Sequence, residues 1–175
     1  SFDVFESVTN NMVIYTLLPS YFGYDYLIEN GGKMKNTGLE FNSFIRIIDG
    51  SNFKWDILAN FSTVKNEIIS IKGEKLIGSI LGGEVVNMEG SPAYSFYGLL
   101  YKGVFSTQEE ASNANLVNDK NIPFQAGDAI FEDISGPYGV PDHVINSYDK
   151  TVIGSSIPSA FGGLFTSFSY KRWTL

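Results

Sequence analysis

The chain has 175 residues, a formal net charge of −7 and no cysteine. The acidic balance argues against nucleic acid as a partner, since phosphate binding needs clustered lysine and arginine, and the lack of cysteine excludes disulfides, thiolate metal sites and cysteine nucleophiles. With 43% hydrophobic and 15% aromatic residues the chain is not disordered. It has no run of about eighteen apolar residues, so no membrane helix is predicted.

The N-terminal stretch predicts a strand followed by a loop. Phe2 to Thr9 reads as a strand, Asn10-Asn11 interrupts it, and Met12 to Leu18 prolongs it. Because strand character is present from the first residues, we expect the chain to be an internal piece of a larger protein. Proline, glycines and rings then occur without a clear period from Pro19 to Gly32, which predicts a loop. Four of its rings form a cluster in the sequence: Tyr21, Phe22, Tyr24 and Tyr26.

The clearest pattern lies between Asn36 and Ser62. Apolar and polar residues alternate with period two on both sides of Asp49-Gly50-Ser51-Asn52, a strong turn signal. This predicts a long antiparallel hairpin with its turn at residues 49–52. One predicted face holds Leu39, Phe41, Ile45, Ile47, Phe53, Trp55, Ile57, Ala59 and Phe61, and the other holds Glu40, Asn42, Arg46, Lys54, Asp56, Asn60 and Ser62, with Phe44, Ile48 and Leu58 as apolar exceptions.

The length and polarity of these strands allow two interpretations. Strands of about ten residues with one apolar face, joined by a tight turn, are typical of a transmembrane barrel. A large soluble β-domain would show nearly the same alternation, although its strands are usually about five or six residues long. The pattern alone leaves both interpretations open.

The pattern changes between Ile71 and Pro158, where glycine and proline become frequent. Short strands are predicted at residues 76–81, 85–88 and 94–105, and Ser106 or Thr107 is predicted to cap a short helix that begins at Thr107. Glu109 and Glu110 suit the positive end of that helix. Alternation resumes from Phe161 to Lys171, with Gly162-Gly163 letting the strand bend.

Five short motifs, in order, carry a resemblance to a known family. Each is weak alone, but together they cover nearly the whole chain. They are Asn30-Gly31-Gly32 through Asn36-Thr37-Gly38-Leu39-Glu40, Phe53-Lys54-Trp55 with Asn60-Phe61-Ser62, Gly90-Ser91-Pro92 with Ser95-Phe96-Tyr97-Gly98, Gly103-Val104-Phe105, and Gly127-Asp128 to Asp133 with Asp149, Ile153-Gly154 and Pro158. In this pattern the chain resembles the SusC/RagA-type TonB-dependent transporters, as an internal fragment of the C-terminal β-barrel.

The resemblance implies an all-β fold, with antiparallel strands that form part of a large transmembrane β-barrel and with a long, partly structured extracellular loop. Residues 1–66 would be barrel strands with a loop at about 10–35, residues 67–157 the large extracellular region, and residues 158–175 a truncated barrel strand. Tight turns such as 49–52 would face the periplasm.

The implied function is import without covalent chemistry. The resemblance implies a location in the outer membrane, oligosaccharide or peptide cargo, energy from TonB, and a SusD-like surface lipoprotein as partner. TonB and the lipoprotein would act mainly through parts outside this chain. Two other hypotheses stay open from the residues: a secreted or surface β-sandwich that binds glycan, and a hydrolase domain.

The family often carries a calcium-like loop, D-x-N-G-D-G-x-I-D-x-x-D, where oxygens two or three residues apart could bind a hard cation. The corresponding residues here are Asp133, Asp142, Asn146 and Asp149, which we predict as the candidate calcium ligands. The sequence departs from the motif, because Pro137 to Pro141 is inserted and fewer carboxylates are present. The alternative, which the sequence favours, is that these residues cap turns.

No catalytic residues are predicted. His143 is the only histidine and no G-x-S-x-G motif is present, so a serine triad lacks its parts. The acids in Glu109/Glu110 and Glu132/Asp133 are adjacent in sequence and do not converge by themselves on one glycosidic bond.

A second ring cluster comprises Tyr94, Phe96, Tyr97 and Tyr101. Both ring clusters could stack on sugars, but loop cores and membrane girdles use the same residues. We therefore assign no ring to substrate.

Overall fold

The structure is a computed structural model that describes residues 1–18, 20–24, 26–73 and 75–175. Its contacts divide the chain into two units. The wall unit consists of Ser1–Leu76, Asn87–Ala93 and Ile157–Leu175, and the insert unit of Ile77–Val86 and Tyr94–Ser156.

The described residues form thirteen strands, one α-helix and two short 3₁₀ helices, Ser20–Phe22 and Ser147–Asp149. The strands are mostly antiparallel. In chain order they are β1 Phe2–Leu17, β2 Tyr26–Asp49, β3 Phe53–Ile71, β4 Lys75–Ile80, β5 Gly83–Met88, β6 Ser95–Leu99, β7 Tyr101–Val104, β8 Val117–Asn118, β9 Ala129–Phe131, β10 Val144–Ile145, β11 Lys150–Gly154, β12 Ala160–Tyr170 and β13 Trp173–Thr174, with α1 at Gln108–Ala114 between β7 and β8.

The wall unit contains one antiparallel sheet in the order β1-β2-β3-β12-β13. Its central hairpin, β2 and β3, confirms the prediction for residues 36–62. The backbone N–H of Gly50 donates to the carbonyl of Phe53 at 2.9 Å and closes the turn. The predicted loop at residues 67–157 begins too early, because β3 continues to Ile71.

One detail of the hairpin was wrong. The ladder between β2 and β3 shifts between Arg46 and Ile48, so that Ile48, not Ile47, lies opposite Trp55. Ile47 is the extra residue of a β-bulge, and a bulge moves the following side chains to the opposite face. The apolar side of the sheet therefore gains Ile48, which the alternation had placed among polar residues.

The predicted loop at residues 10–35 was also wrong. β1 runs through Asn10-Asn11 to Leu17, and β2 begins at Tyr26. Fourteen residue pairs join the two strands, from Phe2↔Phe41 to Leu17↔Tyr26, with register shifts between Thr9 and Met12 and between Met12 and Val13. Asn11 adopts φ +55, so the two asparagines form a bulge and do not end the strand. Pro19, which opened the predicted loop, lies outside the described residues.

The C-terminal strand is shorter than predicted and is followed by a turn. β12 ends at Tyr170, Lys171 adopts φ +52, and β13 returns to pair Trp173 with Tyr170. Gly162 is required for close approach of β12 to β3, since a Cβ there would lie 2.6 Å from the Asn60 carbonyl oxygen.

The insert unit contains small sheets and one helix. The order β11-β6-β5-β4 forms its largest sheet, although the outer ends of β4 and β5 belong to the wall unit. Its interior includes the buried side chains of Val86, Tyr97, Phe105 and Ile145. No helix in the described parts of the chain is long and apolar enough to cross a membrane.

The predicted helix is confirmed and extends to Ala114. Thr107 is its N-cap, and its hydroxyl accepts a hydrogen bond from the Glu110 N–H at 3.1 Å. The Glu110 carboxylate accepts in turn from the Ser106 N–H at 2.8 Å. The predicted strand at 94–105 is present as two strands, β6 and β7, separated at Leu100.

Candidate functional site

The wall sheet has one apolar face, built from alternate residues of four strands. In register across it, Phe2 pairs with Phe41 and Phe41 with Phe61, while Ile45 pairs with Ile57 and Ile57 with Thr166. These side chains are exposed in part or in full; Val4 is 73% and Leu164 77% exposed. A sandwich core would bury them. This side of the sheet is called the apolar face, and its members are Phe2, Val4, Leu39, Phe41, Ser43, Ile45, Ile48, Phe53, Trp55, Ile57, Ala59, Phe61, Leu164, Thr166, Phe168 and Tyr170.

Aromatic rings mark both ends of the apolar face. At the end near the 49–52 turn, the Trp55 and Phe168 rings stack with centroids 5.5 Å apart, and Phe53 and Phe168 at 6.4 Å. At the other end, Phe2, Phe41 and Phe61 form one row across three strands. On β3 the stretch from Phe53 to Phe61, belt residues included, is nine residues long, which matches the roughly nine to eleven residues of a tilted membrane-spanning strand.

A polar group in the aromatic belt near the 49–52 turn finds its hydrogen-bond partner in a side chain of the neighbouring strand. The Trp55 indole Nε1 donates a hydrogen bond to Thr166 Oγ1 at 2.8 Å, between β3 and β12. A hydrocarbon phase offers no hydrogen-bond partners, so such internal pairing suits a surface in contact with lipid.

The opposite, polar face carries amides and charges. Arg46 and Asp56 form an ion pair at 2.7 Å, and Asn42 lies opposite Asn60. One apolar row crosses this face, where Leu58 pairs with both Phe44 and Phe165. Alternation of apolar and polar sides along a strand is typical of a membrane barrel with a polar interior.

Segment Asn87–Ala93 is attached to β3 near its far end, through the backbone of Ile68 and the side chain of Asn66. The Asn66 side chain, 6% exposed, donates from Nδ2 to Asn36 Oδ1 at 2.6 Å and accepts at Oδ1 from the Ala93 N–H at 2.7 Å. The Ile68 N–H donates to the Ser91 carbonyl, and the Gly90 N–H donates back to the Ile68 carbonyl, both at 2.9 Å. The strand pattern did not reveal this attachment, because it joins side chain and backbone across more than twenty residues.

The predicted calcium ligands are brought into one turn system. Asp149 is fully buried and accepts from the Ile134 N–H at 2.8 Å, the Ser135 N–H at 3.1 Å and the Asn146 N–H at 2.8 Å. The Asn146 side chain accepts from the Tyr148 N–H at 2.8 Å, which completes a capping box.

The other two candidate ligands also bind backbone. Asp133 accepts from the N–H groups of Asp142, at 3.3 Å, and His143, at 2.7 Å, while Asp142 accepts from Val144 at 3.0 Å. In the part of the chain that the structure describes, no group of three or more His, Cys, Asp or Glu side chains is placed to hold a metal ion. The calcium site therefore stays a prediction, with backbone amides already on the oxygens that a cation would need.

The acid pairs considered for hydrolysis have other partners. Glu132 forms an ion pair with Lys102 at 2.8 Å, Asp133 caps the turn, and Glu110 binds the backbone of Ser106. His143 is exposed and adopts φ +64. This arrangement offers no nucleophile with an adjacent base.

The insert unit has an open cleft of about 510 Å³. Leu99, Phe124, Phe131 and Ile145 supply apolar surface, and Asn118, Asp119, Asn146, Ser147 and Lys150 supply polar groups. The size is typical of a small-ligand site. The rings of the second sequence cluster do not converge: Tyr97 is buried, while Tyr101 is exposed and packs edge-on against Phe131 with centroids 6.4 Å apart.

The first ring cluster is exposed. Tyr21 and Tyr24 are 81% and 74% exposed, the rings of Tyr21 and Phe22 lie 4.5 Å apart, and Tyr26 packs edge-on against Tyr15 at 5.5 Å. The sequence did not indicate Tyr15, because it was placed in a separate segment.

Comparison with known proteins favours a membrane barrel over a soluble β-domain. The chain is 28% identical over 182 residues to TonB-dependent receptor P3 of Formosa agariphila, and 27% identical over 169 residues to TonB-dependent receptor P26 of the same organism. These matches cover 100% and 94% of the chain. The resemblance to TonB-dependent transporters is confirmed. The chain spans about one sixth of these relatives, 17% and 16% of their lengths. No protein-family model matches the chain.

Solved structures of the RagAB peptide transporter have the same fold. One superposes with a TM-score of 0.72 over 99% of this chain and 18% of that chain, at 21% sequence identity. RagAB in its open-open state superposes with a TM-score of 0.70 over 99% of this chain, at 22% identity. The predicted SusC/RagA-like fold class, all-β with antiparallel strands of a partial barrel, is thereby confirmed.

Proposed function

We propose that this chain forms part of the wall and of the external region of a TonB-dependent importer in the bacterial outer membrane. The observation that carries the proposal is the two-faced wall sheet. It combines an apolar band that is nine residues long on β3, from the aromatic belt at Phe53 to the belt at Phe61, with a face of paired charges and amides. Lipid would contact the first face, and the polar interior of the barrel would lie at the second.

The cargo that we propose is an oligosaccharide or a peptide. The solved relative is named as a peptide transporter, which supports the peptide alternative. The exposed rings near Tyr21 and Tyr24 support either cargo, because aromatic faces stack on sugars and anchor peptides alike. The chain itself would carry out binding and passage, without a covalent step.

Two protein partners follow from this proposal. TonB would supply energy, and a SusD-like surface lipoprotein would cover the external side. The insert unit, with its own buried core, is the part of this chain that we propose to meet the lipoprotein or the cargo. We propose that the Asp133 to Asp149 turns serve as its internal caps and that calcium is not required.

The test uses the complete protein that contains this chain. The complete protein would be produced in the kind of bacterium from which it comes and extracted from the outer membrane with detergent. We expect a stoichiometric surface lipoprotein to copurify, and cells that lack the gene to lose uptake of either a labelled peptide mixture or a labelled oligosaccharide mixture. A protein that stays in solution without detergent and has no partner would contradict the proposal and favour the β-sandwich binder.

A further inference from the structure

The aromatic belt of Phe2, Phe41 and Phe61 is called the upper belt, and a row of charges lies directly beyond it on the continuation of the apolar face. The ladder pairs Thr37 with Glu6 and with Lys65, and Lys35 with Val8 and with Glu67. These positions lie an even number of residues from Phe41 and Phe61 along their strands, and no register shift separates them from that belt. Their side chains are therefore on the same face of the sheet. The side chains Glu6, Lys35, Lys65 and Glu67 are called the upper charged row.

The upper charged row lies at headgroup height if the apolar band spans the membrane. Lys65 is four residues beyond Phe61, or about 13 Å along the strand and roughly 10 Å along the membrane normal for a tilted strand. Lysine stems are long and keep their ammonium groups at a polar boundary while the methylenes lie along apolar surface. These lysines are therefore placed beside the polar layer of the outer leaflet.

The upper charged row lines a cavity, and its two lysines are held in surface ion pairs. A cavity of about 260 Å³ is lined by Lys35, Thr37, Lys65, Glu67 and Ile69. Lys35 pairs with Glu6 at 2.9 Å, and Lys65 with Glu67 at 3.0 Å. The Lys65 and Glu6 side chains are 76% and 60% exposed, and exposed ion pairs contribute only about 0–1 kcal/mol, so the lysines can exchange partners at little cost.

The local charge is opposite to that of the chain. Lys33, two residues before Lys35 on β2 and beyond a register shift between Lys33 and Met34, adds a third lysine beside the row and is exposed. Three lysines against two glutamates give +3 − 2 = +1, whereas the whole chain carries −7. Basic groups at a membrane surface attract anionic headgroups.

We propose that the upper charged row binds the phosphate of an outer-leaflet lipid headgroup, with Lys35 and Lys65 as its cationic contacts and Thr37 as a hydroxyl donor. The lipid's acyl chains would lie over Leu39, Phe41 and Phe61. This inference rests on the membrane placement proposed above. Glu6 and Glu67 compete with the phosphate for the two lysines and so tune the strength of binding.

The test uses the complete protein in a non-ionic detergent, freed of bound lipid by exchange. Monophosphoryl lipid A is the probe, and its retention after size-exclusion chromatography is measured as phosphorus per protein. The double variant Lys35→Gln/Lys65→Gln should bind roughly ten- to thirtyfold more weakly, as two lysines at a lipid surface predict. The matched control is Lys102→Gln, which removes another ion-paired lysine, in the insert unit, and should bind like the unaltered protein.

A second variant keeps the test decisive if the lysine variant fails to fold. Glu6→Gln/Glu67→Gln removes the competing carboxylates and should raise retention of the lipid severalfold. Lipid A without its phosphate should bind weakly to all variants, and a large molar excess of inorganic phosphate should not displace the phosphorylated lipid. Displacement by inorganic phosphate would identify a site for a free anion and overturn the lipid assignment.

Unchanged retention in the lysine variant, or no gain in the glutamate variant, would also overturn the proposal. Insertion into the outer membrane is scored on the same samples by heat-modifiable mobility in electrophoresis. Failure of the membrane placement would appear as lack of insertion in the unaltered protein. Failure of the lipid site alone would appear as lipid binding that is insensitive to these residues in inserted protein.

Discussion

Trp55 on β3 and Thr166 on β12 are joined by a hydrogen bond of 2.8 Å between the indole Nε1 and the threonine Oγ1. The two residues are 111 positions apart in the sequence, and their strands pair along eleven residues, from Ala160↔Thr63 to Tyr170↔Phe53. The bond therefore links the two parts of the wall that flank the insert, within the aromatic belt near the turn at residues 49–52.

Replacing Thr166 by valine should destabilise the wall. The substitution keeps the shape of the side chain but leaves the indole N–H without its acceptor. In the proposed membrane placement, lipid shields this exposed group from water, so the loss costs about 1–3 kcal/mol. Unfolding of the complete protein in urea, followed by Trp fluorescence, measures the change. Thr166→Ser keeps the hydroxyl and should lose less than half as much; equal losses in both variants would show that the bond contributes nothing.

Asn66 should hold segment 87–93 on the wall. Asn66→Ala removes both the acceptor for the Ala93 N–H and the donor to Asn36, and we expect a loss of about 1–3 kcal/mol in local stability. Hydrogen exchange at the Ala93 amide should accelerate at least tenfold, which corresponds to about 1.4 kcal/mol. Asn42→Ala, an exposed amide on the same face, is the control, and equal exchange rates in the two variants would refute the attachment.

Asp149 should be the main organiser of the turns in the insert unit. Its buried carboxylate accepts three backbone N–H groups, so Asp149→Ala should destabilise the unit by about 3 kcal/mol or more, because charge-assisted bonds are lost and donors are left buried. Limited proteolysis within residues 134–146 measures the opening. Asp119→Ala, at an exposed position, should leave the cleavage rate unchanged.

Calcium should have little effect on the same turns. A ligand that binds only the folded state stabilises it in proportion to the logarithm of its concentration over Kd. Because backbone amides occupy the carboxylates, we expect added calcium or a chelator to leave the rate of proteolysis within 134–146 unchanged. A dose-dependent protection by calcium that Asp133→Asn abolishes would restore the predicted site.

Gly38 should tolerate no side chain. A Cβ at this position would clash with the Thr63 carbonyl oxygen and lie 2.7 Å from the Phe5 ring, which covers the glycine on the neighbouring strand. Gly38→Ala should therefore cost about 1–3 kcal/mol, the usual range for overpacking. Gly78→Ala is the control, since its nearest contact would be an ordinary 3.7 Å to Val85, and a similar loss in both variants would contradict the steric account.

The sequence predicted those features that depend on local chemistry. Period-two alternation and a turn signal identified the hairpin around residues 49–52, and the Thr107 cap with its following glutamates identified α1. The predicted strand bounds and faces were wrong where a single extra residue changes the register of the ladder. Asn10-Asn11 has the composition of a strand end but forms a bulge, and Ile47 is displaced by another bulge that alternation cannot locate.

Contacts between distant segments were also beyond the sequence. Nothing in the neighbourhood of Asn66 indicates that it accepts a hydrogen bond from Ala93, and nothing near Trp55 indicates Thr166. The acids of the family-like loop lie in one turn system, and their role depends on which donors the fold brings to them. Buried Asp149 shows this most clearly, because its partners come from two separate turns.

The central claim is that the apolar face contacts lipid and the polar face does not. Ile57 and Leu58 are neighbours in β3, midway between the two aromatic belts, and they lie on opposite faces. The most direct measurement compares Ile57→Lys with Leu58→Lys in the complete protein, by urea unfolding in lipid vesicles. We predict a loss of about 2–4 kcal/mol for Ile57→Lys, the cost of a lysine at the bilayer midplane, and a much smaller loss for Leu58→Lys. Equal losses, or a larger loss for Leu58→Lys, would contradict the account.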